Sequence, residues 1–142
     1  MPMRESRGSS HEILDHVGEL KLRLRADSFA DLAAEAGGAL GALYLRGVMP
    51  GPSGAWREVE VQAPDRGALL VDWLNELIFL AERDRWVPVE FDVREASETL
   101  IRARVRGAAV TEAPAVVKAA TLHGLRLEST GPGLEAEITL DV

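Results

Sequence analysis

The 142-residue sequence contains no cysteine. That excludes a disulfide framework, thiolate catalysis and a cysteine-ligated zinc site. Aromatic residues are scarce, at 5%, too few for a platform on which single-stranded RNA bases would stack. Long hydrophobic runs are missing too, and no stretch approaches the roughly 20 apolar residues that span a bilayer. The opening Met1–Ser10 carries Arg4 and Arg7 with no apolar segment behind them, so no signal peptide is expected. It reads as a short disordered tail (residues 1–10), and cytoplasmic placement follows by default. There is no phosphate-cradling Gly loop ending in Lys-Ser/Thr, no Gly-x-Ser-x-Gly elbow and no His-Glu-x-x-His helix. Positive charge is in deficit: 16 Lys and Arg stand against 23 Asp and Glu, a formal charge of −7. Direct sequence-specific nucleic-acid binding is therefore not expected, while a cation or a basic partner surface would be tolerated.

What remains, 46% hydrophobic and 27% charged, is the make-up of one ordinary globular domain, placed at residues 11–142. Glu12–Asp15 reads as a short extended start. Leu20–Ala26 alternates Leu20, Leu22, Leu24 and Ala26 against Lys21, Arg23 and Arg25, a half-buried strand. Ser28 opens a helix with Asp31 three residues on, a capping spacing; its apolar stripe is Phe29, Leu32, Ala33, Ala36, Leu40 and Leu43. Gly37 and Gly38 weaken that helix by about 1 kcal/mol each relative to Ala, which points to close approach to a sheet. Gly47 is the expected stop, and Met49–Ala55 the loop after it. Arg57–Ala63 is a strand. Asp65 then caps a second helix with a wide apolar face built on Leu69, Leu70, Trp73, Leu74, Leu77, Ile78 and Ala81. Strands are predicted at Val87–Arg94, Leu100–Arg106, Val116–His123, Leu125–Glu128 and Leu134–Val142, the last entered through a Gly-Pro-Gly turn. Short connections make the sheet largely antiparallel. The expected fold is α+β: a two-layer sandwich of two helices on a sheet of six to seven strands.

Two strand faces are basic: Lys21, Arg23 and Arg25 on one, Arg102, Arg104 and Arg106 on another. If they coincided they would form a strip for RNA or an acidic partner. The favoured alternative is cross-strand pairing with Glu135 and Glu137, and with Glu58 and Glu60. Trp73 belongs to the apolar stripe. Trp56 and Trp86, at strand starts, are candidates for partly exposed partner contacts.

Four segments, in order, resemble the archease family. His11-Glu-Ile-Leu-Asp-His16-Val-Gly-Glu19-Leu20 is similar to the family's strand running into His-Thr-Ala-Asp-Ile. Leu70–Phe79 is similar to its second helix, Val116–Gly124 to its Val-Lys-Ala-Ile-Thr-Tyr-His-Asp motif, and the ending Thr139–Val142 to its terminal Val-Asp-Ile/Val. The resemblance covers residues 11–142. It implies an α/β sandwich that is not itself an enzyme but a protein cofactor of an RtcB-type RNA ligase. That ligase joins RNA ends in tRNA splicing and RNA repair, and the cofactor promotes its guanylylation and turnover. The resemblance also implies a metal site formed by the acidic residue of the first motif and the chain end, here Glu19, Asp141 and the Val142 carboxylate. A set of oxygen ligands suits Ca²⁺, Mg²⁺ or Mn²⁺. The sequence departs from the family pattern at three places: Glu19 stands for aspartate, Val17-Gly18 for Thr-Ala, and Leu122-His123-Gly124 for Tyr-His-Asp.

His16, His123 and Lys118 are read as partner-contacting or supporting groups. The histidines could equally make structural hydrogen bonds at strand ends, Lys118 could be a solvated lysine, and Glu19 and Asp141 could be unrelated surface acids. Two alternatives of function stay open: a small metal-dependent phosphoesterase using the histidines and the same carboxylates, and an interaction module that has lost the ligase role.

Overall fold

The computed structural model describes residues 8–16, 18–46, 51, 53–112 and 116–142. The elements run β1 (Ser10–His16), β2 (Glu19–Ala26), α1 (Phe29–Leu45), β3 (Ser53–Gln62), α2 (Arg66–Asp84), β4 (Trp86–Ala96), β5 (Leu100–Ala109), β6 (Ala119–Thr130) and β7 (Gly133–Asp141). The fold is α+β, with two helices and seven strands, every strand pair antiparallel. The strands are divided between two sheets, ordered β1-β2-β7-β6 and β3-β5-β4. α1 packs on β2 and β4, and α2 on β6, β3 and β4, so each helix touches both sheets. One core results, filled by Leu22, Leu24, Leu32, Leu40, Leu69, Leu70, Trp73, Leu74, Leu77, Ile101, Ile138 and Leu140, all fully buried. Each such side chain contributes roughly 1.5–3 kcal/mol.

Local chemistry sets the helix ends as the sequence suggests. The Ser28 side chain accepts from the Asp31 N–H at 3.1 Å, and Asp65 Oδ1 accepts from the Ala68 N–H at 2.8 Å. These bonds satisfy amide groups that no helical carbonyl can reach. α1 ends on Arg46 in the left-handed region, φ 52°; Gly47 and, of the expected Met49–Ala55 loop, Met49, Pro50 and Pro52 lie outside the described residues, as do residues 1–7 of the tail, and β3 begins at Ser53, inside that expected loop. Trp73 Nε1 donates to the Ala33 carbonyl at 2.8 Å, tying the two helices together inside the core. The expected close approach of α1 is made at Gly37, where a Cβ would overlap the Phe91 ring, and at Gly41, where it would overlap the Pro88 carbonyl oxygen. Gly38 faces open space.

Two sequence expectations need correction. Trp86 is 5% exposed, not a surface contact; Arg57 covers its ring, 4.3 Å from the centroid. Trp56 is partly exposed as expected, beneath the Arg104 and Arg106 guanidinium groups. The two strands expected either side of Gly124 are one strand, β6, interrupted by a bulge: Thr121 pairs with Thr139, and the next register pair is Arg126 with Glu137. Gly124 has φ +70°, a conformation that suits glycine.

Candidate functional site

The outer face of the first sheet is read most simply as rows running across its strands. Cross-strand partners lie on one face, about 5 Å apart at Cβ. One row holds Glu12, Arg23, Glu137 and Arg126; the next toward the chain start holds Ser10, Arg25, Glu135 and Glu128. Acid faces base along most of these rows. Arg23 bonds Glu12 at 2.9 Å and Glu137 at 3.3 Å, Arg25 bonds Glu135 through Nε at 3.0 Å, and Arg126 approaches Glu128 at 3.6 Å. A depression of about 580 Å³ on this face is lined by Glu12, Arg23, Arg25, Arg126, Glu135 and Glu137 of these rows. The second sheet follows the same rule: Arg106 bonds Glu90, Arg102 bonds Glu95, and Arg102 and Arg104 stand in register with Glu60 and Glu58. The two basic strand faces lie on different sheets and form no common strip.

At the other end of the first sheet the rule fails. There the row is His16, Glu19, Asp141 and Ala119. Two carboxylates, Glu19 and Asp141, are direct register partners on adjacent strands. Among the described residues, no side-chain nitrogen of Lys, Arg or His lies within 4.0 Å of either carboxylate group. Glu128 also opposes an acid, Glu135, but each of those two has its own arginine. Like charges placed opposite each other destabilise a sheet. The Val142 N–H donates to the Gly18 carbonyl at 3.3 Å, which brings the end of the chain beside the same turn. Glu19, Asp141 and Val142 are thus assembled in one corner by β2–β7 pairing. No cluster of three His, Asp or Glu side chains forms among the described residues, so the described side-chain donors at this corner are the two carboxylates.

The other expected residues surround this corner to different degrees. Lys118 is exposed, and its N–H donates to the Asp141 carbonyl at 2.8 Å. His16 is in register with Glu19; its side chain lies outside what is described. His123 is exposed on the β6 bulge, where its backbone N–H donates to Thr121 Oγ1 at 3.1 Å. The bulge breaks the regular alternation of β6 between Thr121 and Arg126, where His123 lies.

Two residues at the corner escaped the sequence reading. Thr139, one row in from Asp141, is 1% exposed although it lies on the outer face, and its Oγ1 has no hydrogen-bond partner. Gly124 closes over it, and Lys21 Nζ reaches the same spot. Asn75 of α2 bonds Ala120 at the start of β6. Its only signal in the sequence is an uncharged amide beside the apolar stripe of α2.

Away from the corner, two groups are electrostatically unusual. Arg83 Nε and Arg57 Nη1 bond Asp84 at 2.8 and 2.5 Å and hold its carboxyl well below the usual carboxylate range. Burial, with Glu82 nearby, pushes the Tyr44 hydroxyl above its ordinary value.

Comparison with known proteins gives a consistent result. Residues 11–142 match the Archease protein family (MTH1598/TM1083). The chain is 30% identical over 146 residues to the archease of Methanosarcina acetivorans, covering 96% of this chain and 99% of that protein. It is 29% identical to the archease of Archaeoglobus fulgidus, covering 93% and 98%. Among solved structures, protein 1598 of Methanobacterium thermoautotrophicum superposes with a TM-score of 0.71 at 22% identity, covering 93% of this chain and 98% of that one. An archease from Thermotoga maritima, described as a possible chaperone, superposes with a TM-score of 0.63 at 18% identity, covering 94% and 98%. Neither of these two likenesses says more than fold, but the match across 11–142 does: the chain belongs to the archease family.

Proposed function

We propose that this protein is a non-catalytic cofactor of an RtcB-type RNA ligase and works through a divalent cation held at the Glu19–Asp141 corner. One observation carries the reading: the acid–base pairing that runs across the outer sheet face breaks at this row, where two carboxylates face each other with no charged side-chain partner among the described residues. Oxygen donors of this kind fit a hard cation, Ca²⁺, Mg²⁺ or Mn²⁺. Glu19, Asp141 and the Val142 carboxylate would hold it. Bound there, the cation supplies positive charge at an otherwise acidic end of the domain. Lys118 and His123 are exposed around that end and are available to a partner surface, and His16 shares the row. The domain would present this corner to the ligase and favour its guanylylation-competent state. The Thermotoga maritima archease is described as a possible chaperone, which fits an assisting role of this kind.

The test is multiple-turnover RNA joining by a purified RtcB-type ligase with GTP and a divalent metal, with and without this protein. Turnover and ligase guanylylation are expected to rise with the protein present, and the rise should vanish with Asp141→Asn. Equal turnover in both arms would refute the proposal. Hydrolysis of phosphate esters by this protein alone, given only metal, would instead favour the phosphoesterase reading.

A further inference from the structure

The two side-chain hydrogen bonds of Asn75 go to a single residue. Its Nδ2 donates to the Ala120 carbonyl at 3.0 Å, and its Oδ1 accepts from the Ala120 N–H at 2.8 Å. Ala120 lies on β6, an outer strand of its sheet, with β7 on one side only. Its peptide groups would otherwise face away from any strand partner. The Asn75 amide matches a peptide group in shape and polarity, so it serves β6 as a one-residue substitute for the missing neighbour. The residues next to Ala120 build the carboxylate corner. Ala119 is in register with Asp141, and the Lys118 N–H donates to the Asp141 carbonyl. Asp141 is thus flanked by Glu19 on one side and by a strand start clamped to α2 on the other.

From this juxtaposition we propose that Asn75 is a positioning residue for the cation site: it fixes the start of β6, and through it the placement of Asp141 and Lys118. The proposal rests on the cation reading of the corner. Asn75 touches neither carboxylate and acts only through the backbone. Groups that orient ligands from one step away commonly change metal affinity by about 10–100-fold when removed.

The experiment titrates Ca²⁺ and Mn²⁺ separately into the full chain by calorimetry, at a temperature where circular dichroism shows every variant folded. The wild type, Asn75→Ala and Leu74→Ala are compared. Leu74 is fully buried in the core one residue away and serves as the variant that loses stability while keeping the Asn75 amide. Asn75→Ala is expected to weaken cation binding about tenfold and to speed amide exchange at Ala120. Leu74→Ala is expected to lower Tm at least as much while keeping the wild-type affinity. Wild-type affinity in Asn75→Ala overturns the positioning role, and so does equal weakening in Leu74→Ala. If the wild type itself binds neither cation, the reading of the corner fails, and this proposal falls with it.

Discussion

Neutralising one member of the carboxylate pair should have opposite effects on stability depending on whether cation is present. In Glu19→Gln the side-chain shape is kept and one charge is removed. The two residues are direct antiparallel partners, so their repulsion in the metal-free protein costs about 0.2–1 kcal/mol. Unfolding entropy near 2.1 cal/mol/K per residue means that each kcal/mol moves Tm by roughly 3 °C in a chain of this size. In a chelating buffer Glu19→Gln should therefore melt about 1–3 °C above the wild type. With cation at about a hundred times its dissociation constant, the wild type gains about 2.7 kcal/mol, or roughly 9 °C, and overtakes the variant. Asp141→Asn should behave the same way. The assay is calorimetric or fluorescence melting with and without Ca²⁺ or Mn²⁺. Two results would contradict the reasoning: a variant that melts lower in chelator, and a wild type and variant that rise equally with cation.

Three further outcomes follow from other parts of the molecule. Gly41→Ala should destabilise by about 1–3 kcal/mol, because its Cβ would meet the backbone oxygen of Pro88, whereas Gly38→Ala on the same helix, with open space around it, should stabilise by about 0.5–1 kcal/mol; denaturant melts of the pair decide by sign. Tyr44 is the sole tyrosine, so the ultraviolet titration of phenolate reports it alone, and burial should place its midpoint above the ordinary value near 10. A midpoint at the ordinary value would show the hydroxyl to be solvated. Asp84 has a depressed folded pKa, so its contribution is full above the unfolded value of about 4 and declines below it as the unfolded chain alone takes up a proton. Asp84→Asn should accordingly lose less stability than the wild type on going from about pH 4 to pH 2, and parallel acid curves would rule this out.

Features with a local cause were legible in the sequence. Ser28 and Asp65 cap their helices through groups three residues away, and the alternation in Leu20–Ala26 puts Leu22, Leu24 and Ala26 inside because successive strand side chains face opposite ways. Partition into two sheets was not legible, since it depends on which strands meet, and β2 with β7 brings together residues 114 positions apart, as for Arg23 and Glu137. The β6 bulge was hidden because Gly124 reads as a turn between two strands; only the register with β7 shows that the strand continues. Trp86 looked exposed from its position at a strand start, but the chain leaves α2 directly into β4 and Arg57 covers the ring. For the candidate site, the first-motif acid and the chain end came from family resemblance, and their adjacency became visible only in the pairing of β2 with β7. Asn75 could not be found by pattern, because its partner is backbone, which no side-chain motif records.

The β2–β7 pairing also bears on when the corner can exist. Synthesis delivers Glu19 early and Asp141 only after nearly the whole domain has been made. Until β7 arrives, β2 has β1 alone beside it, and β6 has no strand partner at all. Before β7 pairs with β2, Glu19 and Asp141 are not neighbours, so the facing of these two carboxylates belongs to the folded domain alone and is absent from a partly folded one.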